Sequence, residues 1–125
     1  MWRFIFIAFL IVHGLIHVGM WVVVPKPAPG KEAPFDASFS WFLGTQKALA
    51  VSVAVATAAI LIVAGIGLLV YADWWRVGAV IGLAASFLLM VVYFNPWFFF
   101  IEGINAALFA SIVWLSWPSK EMVGA

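Results

Sequence analysis

Four apolar runs of membrane-crossing length, at about residues 4–24, 47–71, 76–94 and 97–117, leave this chain few folds to choose from. A helix of roughly 20 apolar residues spans the hydrocarbon core of a bilayer. The first run, Phe4 to Val24, contains no Asp, Glu, Lys or Arg. With 67% of residues hydrophobic and 9% charged, the chain has too little polar surface to cover a globule in water. The expected fold is all-α: a four-helix transmembrane bundle with an antiparallel, up-down course.

The breaks between the runs agree with this division. VPKPAPGKEAP holds four of the six prolines and cannot be helical. YADWWR reads as a tight turn. In FNPWF, Asn95 precedes Pro96 and is pushed out of helical geometry. Connections this short make neighbouring helices antiparallel. Tryptophan prefers the membrane–water interface. Trp2, Trp74, Trp75, Trp114 and Trp117 fall near one set of helix ends, and Trp21, Trp41 and Trp97 near the other. In the first loop, FDASFSWFLG offers Asp36 as a cap, followed by Phe39, Phe42 and Leu43 on one side. This pattern predicts a short interfacial helix, with an irregular aromatic loop as the alternative. The second run places Ala48, Ser52 and Ala56 on one face and Ala50, Ala54 and Ala58 on another. Gly78 and Gly82 open the third. Small faces of this kind let helices approach closely in lipid.

The apolar part of the first run, about 21 residues, exceeds the roughly 7–15 of a signal peptide, so a retained first helix is expected. The plasma (inner) membrane is the expected location. An even number of spans puts both termini on one side, with Arg3, Arg76 and Lys120, against Lys26, Lys31 and Lys47 on the other. The terminal amine tips this tie towards cytoplasmic termini. A net charge of +1 and the lack of a basic stripe exclude nucleic acid as a partner. Without cysteine there are no disulfides, thiolate zinc sites or iron–sulfur clusters.

Ionisable residues inside a membrane segment are costly and mark functional hypotheses. Here they are His13, His17 and Glu102, with Asn105, Ser86, Ser52 and Thr57 as neutral company. At 1.5 Å per residue, His17 lies about 10 Å below the loop-one end of the first helix, Glu102 about 8 Å and Asn105 about 12 Å, with His13 deeper at about 16 Å. His13 and His17 are four apart on one stripe, and Glu102 and Asn105 three apart on another. With the first and last helices adjacent, the stripes face one another and Glu102 partners the histidines. Three roles remain open for such a cluster. It locks helix to helix; or His13, His17 and Glu102 ligate a metal ion; or the group handles protons or a small molecule such as an amine or a quinone headgroup. No cofactor is favoured. Bis-histidine haem needs ligands on separate helices, and both histidines lie on the first. No nucleophile–base arrangement, phosphate loop or metalloprotease motif is present, so an enzyme is not expected.

HGLIHVG, residues 13–19, resembles the opening of a loose group of small bacterial membrane proteins with four helices, which stand alone or precede a soluble domain. NPW followed by Asn105 extends the resemblance over the last two helices. His13, Gly14 and His17 are the corresponding positions; the glycine after the second histidine falls one residue early, at Gly19. The resemblance implies the fold and carries no activity with it. A chain that is nearly all bilayer segment is most simply an accessory or scaffold subunit of a larger membrane assembly, partnered by lipid and by other subunits or its own copies. The alternative is a self-contained binder or carrier of protons, metal or a small hydrophobic molecule.

Overall fold

A computed structural model describes residues 1–23, 26–32, 36 and 38–124, with the backbone alone at Trp97. The expected place of Trp97 at an interface and both ends of the proline-rich loop thus lie outside the described residues. The chain is mostly helical. Helix α1 runs Trp2–His17 and continues as a π-helix over Val18–Val22; α2 is Lys47–Leu69 and α3 Trp75–Val92. A 3-10 turn, Pro96–Phe98, leads into α4, Phe99–Trp114, and a short α5 follows at Lys120–Val123. By length and composition, three of these are able to cross a membrane: Trp2–Val22, Lys47–Leu69 and Trp75–Val92. The fourth is shorter than the apolar run that encodes it. It stops at Trp114, where Leu115 N–H and Trp117 N–H both return to the Ser111 carbonyl and Ser116 takes a positive φ.

Helix packing follows chain order: α1 lies on α2, α2 on α3 and α3 on α4. Glycine makes the first contact possible. A Cβ at Gly14 would sit 2.9 Å from the Ala58 carbonyl oxygen, so the HGLIH segment is flush with the α2 backbone. Further along, Gly65 faces Ile7, Leu10 and Ile11. On the other side of α2, Gly78 faces Ala64 and Gly82 faces Leu61. Of the two alanine faces of α2, Ala50, Ala54 and Ala58 are buried, whereas Ala48, Ser52 and Ala56 are exposed. Small residues thus serve packing within the chain.

Two apolar clusters form the core. One gathers Phe6, Leu10, Leu61, Leu68, Trp75 and Leu83; the other Trp21, Ala50, Ala54, Met90, Tyr93 and Phe98. At the first cluster's end, the Arg3 guanidinium lies 4.0 Å over the Tyr71 ring, and the Arg76 guanidinium donates to the carbonyls of Ser116 and Pro118. The amino terminus, the α2–α3 turn and the carboxyl-terminal segment therefore gather there. Tyr71 closes α2 in a left-handed conformation, with Tyr71 N–H bonded to the Leu68 carbonyl and Ala72 N–H to that of Gly67.

The interfacial helix expected after the first span is not formed among the described residues. Phe39–Ser40 and Gly44–Thr45 pair instead as a small antiparallel hairpin, β1–β2. Asp36 caps a turn rather than a helix, accepting from Ser38 N–H at 2.8 Å and Ser38 Oγ at 2.6 Å. Ser40 Oγ donates to the Val92 carbonyl at 2.6 Å and accepts from Phe42 and Leu43 N–H, while Trp41 Nε1 donates to the Val91 carbonyl. The hairpin wins because it satisfies carbonyls at the end of α3 that have no partner within the helix. Two tryptophans also depart from the interface pattern: Trp21 and Trp75 stand near helix ends but are buried in the core.

Candidate functional site, a buried polar layer centred on Ser86

Each helix of the bundle contributes a buried polar side chain between the two apolar clusters. Helix α1 supplies His13 and His17, α2 Thr57, α3 Ser86 and α4 Asn105. Three of them converge on one atom. Ser86 Oγ lies 2.9 Å from His17 Nε2, 3.3 Å from His13 Nε2 and 2.6 Å from Asn105 Nδ2.

The direction of each bond follows from elementary donor rules. A carbonyl only accepts, so His17 Nδ1 carries a proton and donates to the His13 carbonyl, 2.9 Å away. With the ring neutral, Nε2 of His17 is an acceptor, and the Ser86 hydroxyl gives it its proton. The two lone pairs of Ser86 Oγ then accept, from Asn105 Nδ2 and from the protonated Nε2 of His13. One donor and two acceptors exhaust what a hydroxyl offers. The spacing of four residues that stacks the histidines also builds a ring column. Phe9 stacks on His13 at 5.2 Å, His13 meets His17 edge-on at 5.1 Å, and His17 stacks on Trp21 at 5.8 Å. Trp21 in turn meets Phe98 at 5.4 Å. The switch from α to π geometry directly after His17 occurs within this column.

Glu102 does not partner the histidines as the sequence predicts. Both carboxylate oxygens are buried, yet neither has a hydrogen-bonding partner among the described residues. The reason is the order of packing: α1 lies closest to α2, and it reaches α4 across Ser86 of α3 rather than directly. His13, His17, Ser86 and Asn105 are brought together; Glu102 is left beside them. Nor do His13, His17 and Glu102 form a metal-ligand group among the described residues. His17 has both ring nitrogens engaged already. Asn105 Oδ1 and Thr57 Oγ1 are likewise buried without a partner among the described residues.

Two cavities lie elsewhere. One, of about 520 Å³, is bounded by the start of α3, the end of α4 and the segment before α5. The other, of about 380 Å³, lies between α3 and α4 and includes Ala84, Leu88 and Phe109 in its wall. Neither histidine lines them. Comparison with known proteins finds no matching family model, no matching curated relative and no matching solved structure.

Proposed function

We propose that this chain is an integral protein of the plasma (inner) membrane, crossing it four times with both termini cytoplasmic, and acting as an accessory or scaffold subunit of a larger membrane assembly. Large apolar side chains exposed along every long helix support a lipid environment; among them are Val12, Val63, Ile81, Leu88, Phe100 and Ile104. The antiparallel course is supported by the pairing of Gly14 with Ala58 and of Gly65 with Ile7, and by the matching order on α2 and α3. At 16 residues, α4 reaches about 24 Å, and the preceding 3-10 turn adds about 6 Å, close to the bilayer core.

The observation that carries the scaffold role is the saturation of the Ser86 hydroxyl at the centre of the polar layer. Every donor and acceptor of Ser86 is used, its partners come from α1 and α4, and with Ser86 itself on α3 the bonds fix the register of three helices. A second reading, a proton or small-ligand carrier, draws on the unpartnered oxygens of Glu102 and Asn105. Reconstitution into vesicles holding a pH-sensitive dye separates the two. The scaffold reading expects proton leakage no faster than in empty vesicles, and membrane subunits that co-purify in fixed ratio in mild detergent. Leakage that vanishes in Glu102→Gln would establish the carrier instead.

A further inference from the structure

The structure holds a second feature with chemistry of its own, at the end of the bundle where the termini meet. The larger cavity is bounded by two cations, Arg76 and Lys120, and two hydroxyls, Ser116 and Ser119, and none of its eight lining residues is acidic. Arg76 is held in place from behind, by its bonds to the carbonyls of Ser116 and Pro118. A guanidinium has five N–H donors, so Arg76 keeps donors for a further acceptor. Lys120 is exposed, and its ammonium has no hydrogen-bonding or ionic partner among the described residues.

The rest of the cavity is apolar, with Val77 and Ile81 of α3 facing Ile112 of α4. The smaller cavity continues the same seam. On α3 its wall includes Ala84 and Leu88, and on α4 Ala106 and Phe109. Residues 77, 81, 84 and 88 recur at intervals of three or four, which is one stripe of a helix, and residues 112, 109 and 106 descend α4 at the same pitch. From Val77 to Leu88 the stripe covers about 17 Å. Two cavities thus follow one another along the α3–α4 seam, a cationic, hydroxyl-bearing one at its head and an apolar one beyond it.

We propose that the α3–α4 seam is a binding site for one anionic phospholipid, with its phosphate at Arg76 and Lys120 and an acyl chain along Ile81, Ala84 and Leu88. The charge of the head and the apolarity of the trough select this occupant together. A phosphate ester satisfies the guanidinium and ammonium, and only an attached chain fills the groove below. The site rests on the membrane reading, and it adds a specific lipid partner to it.

Purified full chain in mild detergent is examined by native mass spectrometry and thermal unfolding, with phosphatidylglycerol, phosphatidylcholine of equal chain length, or inorganic phosphate added. One phosphatidylglycerol per chain is expected to be retained and to raise the melting temperature, with little effect of phosphatidylcholine or phosphate. Lys120→Gln is expected to weaken retention about fivefold, and Ala84→Phe, which fills the trough, to abolish it while the chain stays folded. Equal retention of phosphatidylcholine overturns the proposal, as does retention indifferent to both substitutions. Stabilisation by inorganic phosphate that survives Ala84→Phe would assign the cations to a free anion and also overturn it. A chain that stays soluble and monodisperse without detergent would instead defeat the membrane reading itself.

Discussion

Ser86 shows how a single small side chain can tie three helices together. Removing its hydroxyl leaves His17 Nε2 without a donor, and His13 Nε2 and Asn105 Nδ2 without an acceptor, all within the core. Each unsatisfied buried group costs about 1–3 kcal/mol, although polar contacts between membrane helices average below about 1 kcal/mol. Ser86→Ala is therefore expected to lower stability by about 2 kcal/mol in detergent unfolding, whereas Glu102→Gln costs less than about 1 kcal/mol. A double-mutant cycle should find coupling between Ser86 and Asn105 and none between His17 and Glu102. The reverse pattern would restore the carboxylate as the partner of the histidines. Depth and spacing bring His13, His17 and Asn105 to one level from sequence alone, but they do not single out Ser86. Serines in apolar helices commonly bond their own backbone, as Ser52 does to the Ala48 carbonyl at 2.8 Å and Ser111 to that of Ala107 at 2.7 Å. Only the convergence of side chains from α1 and α4 on its hydroxyl distinguishes Ser86 from them.

At the scale of elements, the apolar runs translate into helices within a few residues, because lipid-length hydrophobic stretches have one good backbone solution. What the sequence leaves open is where a helix ends and what a loop does. The hairpin after α1 depends on carbonyls of α3 about fifty residues away, so no local pattern announces it. It also carries a pH dependence. The bonds from Ser38 hold the Asp36 carboxyl below its ordinary value, so the ionised form is favoured in the folded loop. A depressed carboxylate stabilises above its unfolded pKa, and that contribution is lost as pH falls through the lower folded value. Protection of the Ser38 amide against hydrogen exchange should accordingly be constant near neutrality and decline only in acid, and Asp36→Asn should flatten that decline. Close helix contacts give a second expectation. An alanine at Gly14 meets a backbone carbonyl at 2.9 Å, whereas one at Gly82 meets the Leu61 side chain, Cδ2 at 2.6 Å. A side chain can turn aside and a backbone cannot. Gly14→Ala should cost about 1–3 kcal/mol, and Gly82→Ala clearly less, measured by the same unfolding assay.

For the whole molecule, the two apolar clusters and the polar layer between them describe a bundle whose ends have different characters. One end gathers Arg3, Tyr71, Arg76 and the segment leading to Val123; the other gathers Trp21, Tyr93, Phe98 and the hairpin. Composition makes the long apolar helices legible at once, and the tie of basic residues between the two sets of loops is why an orientation is not. The chain contains no cysteine, so single introduced thiols report sidedness without background. Lys31→Cys, Asp73→Cys and Glu121→Cys are expressed separately in sealed membrane vesicles of known orientation and treated with an impermeant maleimide. A four-span bundle with cytoplasmic termini predicts that Asp73→Cys and Glu121→Cys are labelled from the cytoplasmic face only, and Lys31→Cys from the opposite face only. Labelling of Lys31→Cys and Glu121→Cys from the same face would contradict the four-span bundle.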